Sequence, residues 1–180
     1  KAVTACREWQ RRNACFLVLL AQGTPCILAG DEFANTQKGN NNAYCQDNPT
    51  GWLDWSRLER EKKLFSFVKE LIALRKAHPV LSQEKELLGM AQIRCGVPDV
   101  SYHGAYAWQT PSEVSSRQLG VYYCGKMAGD EDCFVAYNMH WLEHEFALPA
   151  LPKGKKWYLA ADPKEGILAE EELVENQREA

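Results

Sequence analysis

The run Cys26 to Ala29 is short and wholly apolar, and it stops at Gly30 before a carboxylate pair, Asp31 and Glu32. Upstream, residues 3–21 carry a helical pattern. It is amphipathic at first (Arg7, Glu8, Arg11, Arg12) and apolar later (Phe16, Leu17, Leu19, Leu20), and Gly23 is placed to stop it. Pro25 then opens a strand expected to be buried through Ala29. Ser56 and Glu59 have the spacing of a capping box. Behind them Leu64, Val68, Leu71, Ile72 and Arg75 recur at helical spacing to about Ala77. Lys76 and His78 suit the negative end of that helix, and Pro79 terminates it. Helix, tight turn, buried strand and helix form the repeating unit of an α/β barrel.

The residues after Gly30 are where function is sought. Asn35 to Asn48 is dominated by Asn, Gln, Thr and Gly. Each amide offers a donor and an acceptor, the mixed pattern that a neutral polyhydroxyl ligand such as a sugar also presents. Asn40, Asn41, Asn42 and Gln46 are suited to bonding hydroxyls, and Tyr44 or Trp52 to stacking on the apolar face of a sugar ring. Asn also turns readily onto its own backbone, whereas loops of this length without regular structure are often functional; both readings stay open. Trp52 and Trp55 read better as anchors for the loop's return.

After Leu81 the texture changes to short alternating runs, Ala105 to Trp108, Leu119 to Cys124, Cys133 to Asn138, Glu145 to Leu148 and Trp157 to Ala160, separated by Gly, Pro and Asp turns. That pattern favours an antiparallel sandwich. The expected organisation is residues 1–81, a linker at 82–91, and an all-β domain over 92–180. An apolar content of 46% with six Trp supports a real core. A net charge of −3 argues against a nucleic-acid surface, and the basic groups Arg11–Arg12 and Lys153 with Lys155–Lys156 are expected on solvated faces. No apolar run is long enough to span a bilayer. Seven scattered Cys without a CxxC pair favour reduced thiols in the cytoplasm. Lys1 opens the chain inside a helical pattern, and Glu170 to Ala180 ends it as an acidic stretch without a closing strand; both suggest a piece of a longer protein.

Several segments together carry a resemblance. GTPCILAGDEFANTQ (Gly23 to Gln37), GNNNAYCQDN (Gly39 to Asn48) and WLDW (Trp52 to Trp55) look like the last barrel strand and loop of bacterial glycogen debranching enzymes and isoamylases, in the alpha-amylase clan of glycoside hydrolases. The likeness continues through LIALRKAHPVL (Leu71 to Leu81) and PDVSYHG (Pro98 to Gly104). It fades after SRQLGVYY (Ser116 to Tyr123), although AYNMHW and FALP still fit. Residues 7–81 are covered closely and the rest loosely. Cys26, Ala34 and Asn35 stand where relatives often carry Met, Gly and Arg, a difference of loop detail. The resemblance implies an α+β piece: the last helix–strand–helix of a TIM (β/α)8 barrel followed by an antiparallel β-sandwich. It implies a parent enzyme that cleaves alpha-1,6 branch linkages of glycogen or its limit dextrin by retaining double displacement, without metal or organic cofactor. In that clan the nucleophilic Asp, the acid Glu and a third Asp lie on earlier strands, so no catalytic carboxylate is assigned here and the chain alone is expected to be inactive.

Retaining glycosidases need two carboxyl groups about 5–5.5 Å apart on one bond. Neighbouring strand residues point to opposite sides, so Asp31 and Glu32 cannot both face one substrate if the strand continues through them; one is expected to line the cleft and the other to tie down loops. The substrate-contacting candidates are Asp31, Glu32, Asn41, Asn42, Tyr44 and Asp47. The competing readings are a stand-alone glucan-binding or scaffold module, and a zinc peptidase through His140, Glu143 and His144 of HWLEH, an H-x-x-E-H pattern. That motif lies between two strand-like runs, which suits a hairpin loop better than the helix the metal needs. Cys6, Cys15 and Cys26 read as buried apolar residues, and Cys45 lacks a neighbouring His. A lone Pro25–Ala29 strand has no neighbours in this sequence, and open edges invite self-association.

Overall fold

The computed structural model describes residues 2–167 and contains a small α+β fold with antiparallel sheets. The acidic stretch 170–180 lies outside the described residues. Two compact units are present. The first comprises residues up to Leu74 together with Ala161–Ile167, and the second runs from Arg75 to Ala160.

The first unit is built on two helices, α1 (Ala2–Leu20) and α3 (Lys62–Ala77), with a single short turn, α2 (Arg57–Arg60), ahead of α3. The apolar second half of α1 supplies the buried Phe16, Leu19 and Leu20, and the spaced apolar positions of α3 supply Leu64, Phe67, Val68 and Leu71. Phe16 and Phe67 stack with centroids 5.7 Å apart, and each such buried side chain contributes about 1.5–3 kcal/mol. Arg12 lies over Phe67 at 5.1 Å. Its guanidinium donates to the carbonyls of Pro163 and Lys164, which fastens the two-residue ribbon β4 (Ala161–Asp162) and β5 (Gly166–Ile167) to this unit. Arg12 therefore leaves the solvated face expected of it, because a cation that finds a ring face and two carbonyls is better satisfied there than in water. Arg11 pairs with Glu61 at 3.6 Å, a surface pair worth at most about 1 kcal/mol.

Two expectations for this unit fail. Residues 24–28 have no assigned strand and no ladder partner, and Ile27 and Leu28 are 39% and 64% exposed, so the buried strand Pro25–Ala29 is not formed. Apolar composition selects a strand only where a ladder partner is supplied, and none is among the described residues. The capping box is also absent: Ser56 makes no side-chain cap bond. Its hydroxyl goes to the Asp54 carboxylate instead, a charged acceptor closer at hand than the helix N–H groups.

The second unit holds a three-stranded antiparallel sheet ordered β1 (Val100–His103), β2 (Gln118–Tyr123), β3 (Cys133–Asn138). Val100 faces Tyr123 and His103 faces Gly120 across one ladder; Gly120 faces Ala136 across the other. Gly120 is required by close approach. A Cβ there would run into the ring of Phe134, which instead lies 5.5 Å from the ring of the fully buried His103. Tyr122 and Trp157 complete this aromatic core, and the half-exposed Trp108 lies against its edge. Asp99 organises the approach to β1: its buried carboxylate accepts N–H groups from Leu88, Gly89 and Val100 and the Gln92 amide.

Of the five runs expected as strands here, two are β2 and β3. Ala105–Trp108 is a turn following β1, and Glu145–Leu148 and Trp157–Ala160 are not regular strands. Their apolar side chains are satisfied by packing: the Trp157 indole donates to Pro149 O at 2.8 Å and its ring meets Tyr122 and Phe134. Among the described residues the sheet has no second layer.

Candidate functional site: the amide-rich loop

Gly30 starts the loop with φ +100°, and a Cβ at that position would stand 2.6 Å from the Asn35 Cβ and 2.9 Å from Leu53; only glycine fits. A single 3-10 turn, Asp31–Phe33, follows, and buries Phe33 against Trp55. Both acidic side chains serve this turn. Asp31 accepts from Leu28 N at 3.3 Å and Glu32 from Gly30 N at 2.9 Å. The Asn35 side chain accepts from Asp54 N at 3.0 Å, tying the loop's start to its return. Burial, with Asp31 adding to it, raises the Cys15 thiol above its usual pKa, which keeps it protonated and inert. On the return, the Ser56 hydroxyl first and then the Arg60 and Arg57 charges hold the exposed Asp54 carboxyl below the usual range.

Within the loop the asparagines divide. Asn40 Oδ1 accepts from Asn42 N, Asn42 Oδ1 from Tyr44 N and Asn48 Oδ1 from Thr50 N, so their carbonyls hold turns. Asn41 is exposed and its side chain makes no hydrogen bond among the described residues. An open cavity of about 560 Å³ is lined by Gln37, Tyr44, Cys45, Gln46 and Asp47 with Gly51. Tyr44 is 85% exposed there, and Asp47 is fixed by the Trp52 indole at 2.8 Å. Of the six candidates, the structure brings Tyr44 and Asp47 to the cavity; Asp31, Glu32, Asn41 and Asn42 do not line it. Gln37 and Cys45 join it without having been expected. Cys45 sits in the left-handed region at φ +62°, a conformation the flanking composition does not announce.

The H-x-x-E-H segment forms a bend after β3 and not a helix. Among the described residues no group of three or more His, Cys, Asp or Glu is placed to hold a metal ion, and no helix is long and apolar enough to cross a membrane.

No family model matches the chain. Among curated proteins it is 32% identical, over an alignment of 177 residues, to the glycogen operon protein GlgX homolog of Mycobacterium tuberculosis, covering 86% of this chain and 24% of that protein. It is 53% identical over 81 residues to the glycogen debranching enzyme of Yersinia enterocolitica, covering 42% of this chain and 12% of that one. A pullulanase mutant from Paenibacillus barengoltzii, complexed with maltotetraose, matches with a TM-score of 0.61 at 26% identity over 85% of this chain and 21% of that chain. The pullulanase of Bacillus acidopullulyticus matches at 0.65 and 20% identity, over 92% and 18%, a likeness of fold. The chain therefore spans about a quarter or less of the length of the proteins it matches. These matches, and not the loop geometry, place it in the alpha-amylase clan of glycoside hydrolases. Within that clan it belongs to the family of the bacterial glycogen debranching enzymes.

Proposed function

We propose that this chain is the C-terminal part of a cytoplasmic debranching glycoside hydrolase that cleaves alpha-1,6 branch linkages of glycogen or its limit dextrin. The observation that carries the reading is the cavity lined by the amides of Gln37 and Gln46 with Tyr44 and Asp47, set in the segment where identity to a debranching enzyme reaches 53%. In the parent, α1, the apolar run Pro25–Ala29 and α3 are the last helix–strand–helix of the barrel within residues 1–81. A linker at 82–91 leads to the antiparallel domain from residue 92. The loop is the lip of the glucan cleft: Tyr44 stacks on a ring, Asp47 and the free amide of Asn41 bond hydroxyls, and Asn42 shapes the turn beside them. Asp31 and Glu32 act one step removed, holding the turn that presents this lip.

Each of those two carboxylates is bonded to the backbone of its own turn, and the chemistry of retention needs a pair facing one bond. The chain alone therefore supplies binding and no hydrolysis. Seven cysteines, all unpaired, suit a reducing compartment. A free-standing scaffold module fits less well, because it would carry Ile27 and Leu28 exposed to no purpose. The test is incubation of the purified chain with glycogen and assay of released linear chains by reducing ends. No release above buffer is expected, while maltotetraose perturbs the backbone amides of Gln37, Tyr44 and Gln46 in a heteronuclear NMR titration. Release of chains, or a silent loop, overturns the reading.

A further inference from the structure

The second unit holds a cleft that the loop reading does not use. Its volume is about 440 Å³, inside the roughly 300–1,000 Å³ typical of ligand sites. One wall is the crossover between β1 and β2, with Tyr106, Gln109 and Ser115; the other is the start of β2 and the bend after β3, with Gln118, His140 and His144. Hydrogen bonds hold each wall and join the two at Ala147 and Ala105. Gly104 N donates to Gln109 O, Met139 N to Arg117 O and Ala147 N to Ala105 O, and the Gln118 amide reaches Glu145 O at 3.3 Å.

We propose that this cleft binds a stretch of neutral oligosaccharide. Its lining has the chemistry of such a ligand. The side chains of Gln109, Ser115 and His144 make no hydrogen bond among the described residues, so donors and acceptors stand ready for hydroxyls. His140 accepts from Leu142 N at its Nδ1, 3.0 Å away, which in the neutral ring leaves Nε2–H as a donor. Two aromatic surfaces flank the polar groups. Tyr106 is 67% exposed, and Trp141, stacked on His140 at 4.0 Å, is 86% exposed. Rings left bare at the rim of a polar cleft suit the C–H face of a sugar. The cleft carries one acid and one base, Glu113 and Arg117, so it has no net charge with which to select phosphate. A metal is a poor occupant: the two imidazoles lie edge to face at 4.8 Å, and the Nδ1 of His140 is already committed.

That the saccharide is an alpha-glucan rests on the function proposed above; the preference for a neutral polyhydroxyl ligand does not. The experiment is titration of the full chain with maltotetraose, followed through backbone amides, with the loop amides serving as an internal comparison. Saturable shifts are expected at Gln109, Ser115, Gln118 and His144. Tyr106→Ala, at an exposed position, is expected to weaken binding at these amides by at least about tenfold, or about 1.4 kcal/mol, while Gln37 and Gln46 respond as before; His144→Ala is expected to do the same. A silent cleft beside a responsive loop overturns this inference alone. So does unchanged affinity in both variants, or inorganic phosphate shifting the cleft amides at lower concentration than the sugar. A responsive cleft beside a silent loop overturns only the reading of the loop.

Discussion

His103 shows how one side chain can set a domain's response to acid. It is fully buried, its Nδ1 accepts from Trp108 N at 2.7 Å, its Nε2 meets the Ser101 hydroxyl at 2.9 Å, and Trp108, Tyr122 and Phe134 surround the ring. No cation fits there cheaply, and burial lowers its pKa from the ordinary 6.5. The unfolded chain therefore binds a proton on this residue at a pH where the folded chain does not. Stability from the neutral ring is complete above about pH 6.5 and is lost as pH falls through the folded-state value. The expected outcome is a urea midpoint that drops between pH 7 and pH 5, together with an imidazole titration by NMR lying below 6.5. A His103 titration at or above the ordinary value would refute the assignment. Cys133 shows the same physics in a thiol: burial first, then Asp130 and Asp132, push it up to about 11, so it stays protonated at neutral pH and stable as a core residue.

Elements in this chain are decided by partners more than by composition. Asp99 is the clearest case, since one carboxylate gathers four donors from the segment 88–100. Asp99→Ala removes the acceptor these donors share and leaves the N–H of the buried Val100 without it, and is expected to lower stability by about 1–3 kcal/mol in denaturant unfolding. A loss below about 1 kcal/mol would mean that water replaces the carboxylate without cost. The same dependence on partners explains what could be read in advance. α1, α3, β2 and β3 were legible because their periodicity matches a face that is in fact covered. β1 was not, because Val100 to His103 is only four residues long and follows Pro98 and Asp99, which read as a turn. Trp157 to Ala160 was misread because its alternation is satisfied by ring packing and an indole bond to Pro149, with a single bridge at Tyr158 in place of a strand. At the loop, Tyr44 and Asp47 could be found from the amide-rich composition around them. The local roles of Asp31 and Glu32 could not, since they depend on backbone N–H groups that the turn itself presents. The cleft at Tyr106 and His144 was invisible for a different reason: two stretches separated in sequence, 104–118 and 140–144, assemble it.

Taken together, the chain carries two compact units and one conspicuous unmet requirement, the apolar run through Ile27 and Leu28. Both side chains are substantially exposed, and the backbone from Thr24 to Leu28 lacks ladder partners. An apolar run without ladder partners is a template for another strand, and a second copy of the same run is the nearest one in a purified sample. The expected outcome is reversible self-association, seen by light scattering as a mass that rises with concentration above the 20.4 kDa monomer. Leu28→Lys places a charge on the exposed face, a device by which natural edges avoid pairing, and is expected to return the chain to monomer without altering the loop amides. A monodisperse monomer at every concentration would show that the run is satisfied within one chain. A wild-type mass unchanged by Leu28→Lys would move the contact elsewhere. Self-association through this run would also explain why an apolar sequence sits beside the amide-rich loop without a partner of its own: the interactions it lacks in the isolated chain are those that neighbouring strands would supply in the longer enzyme proposed above.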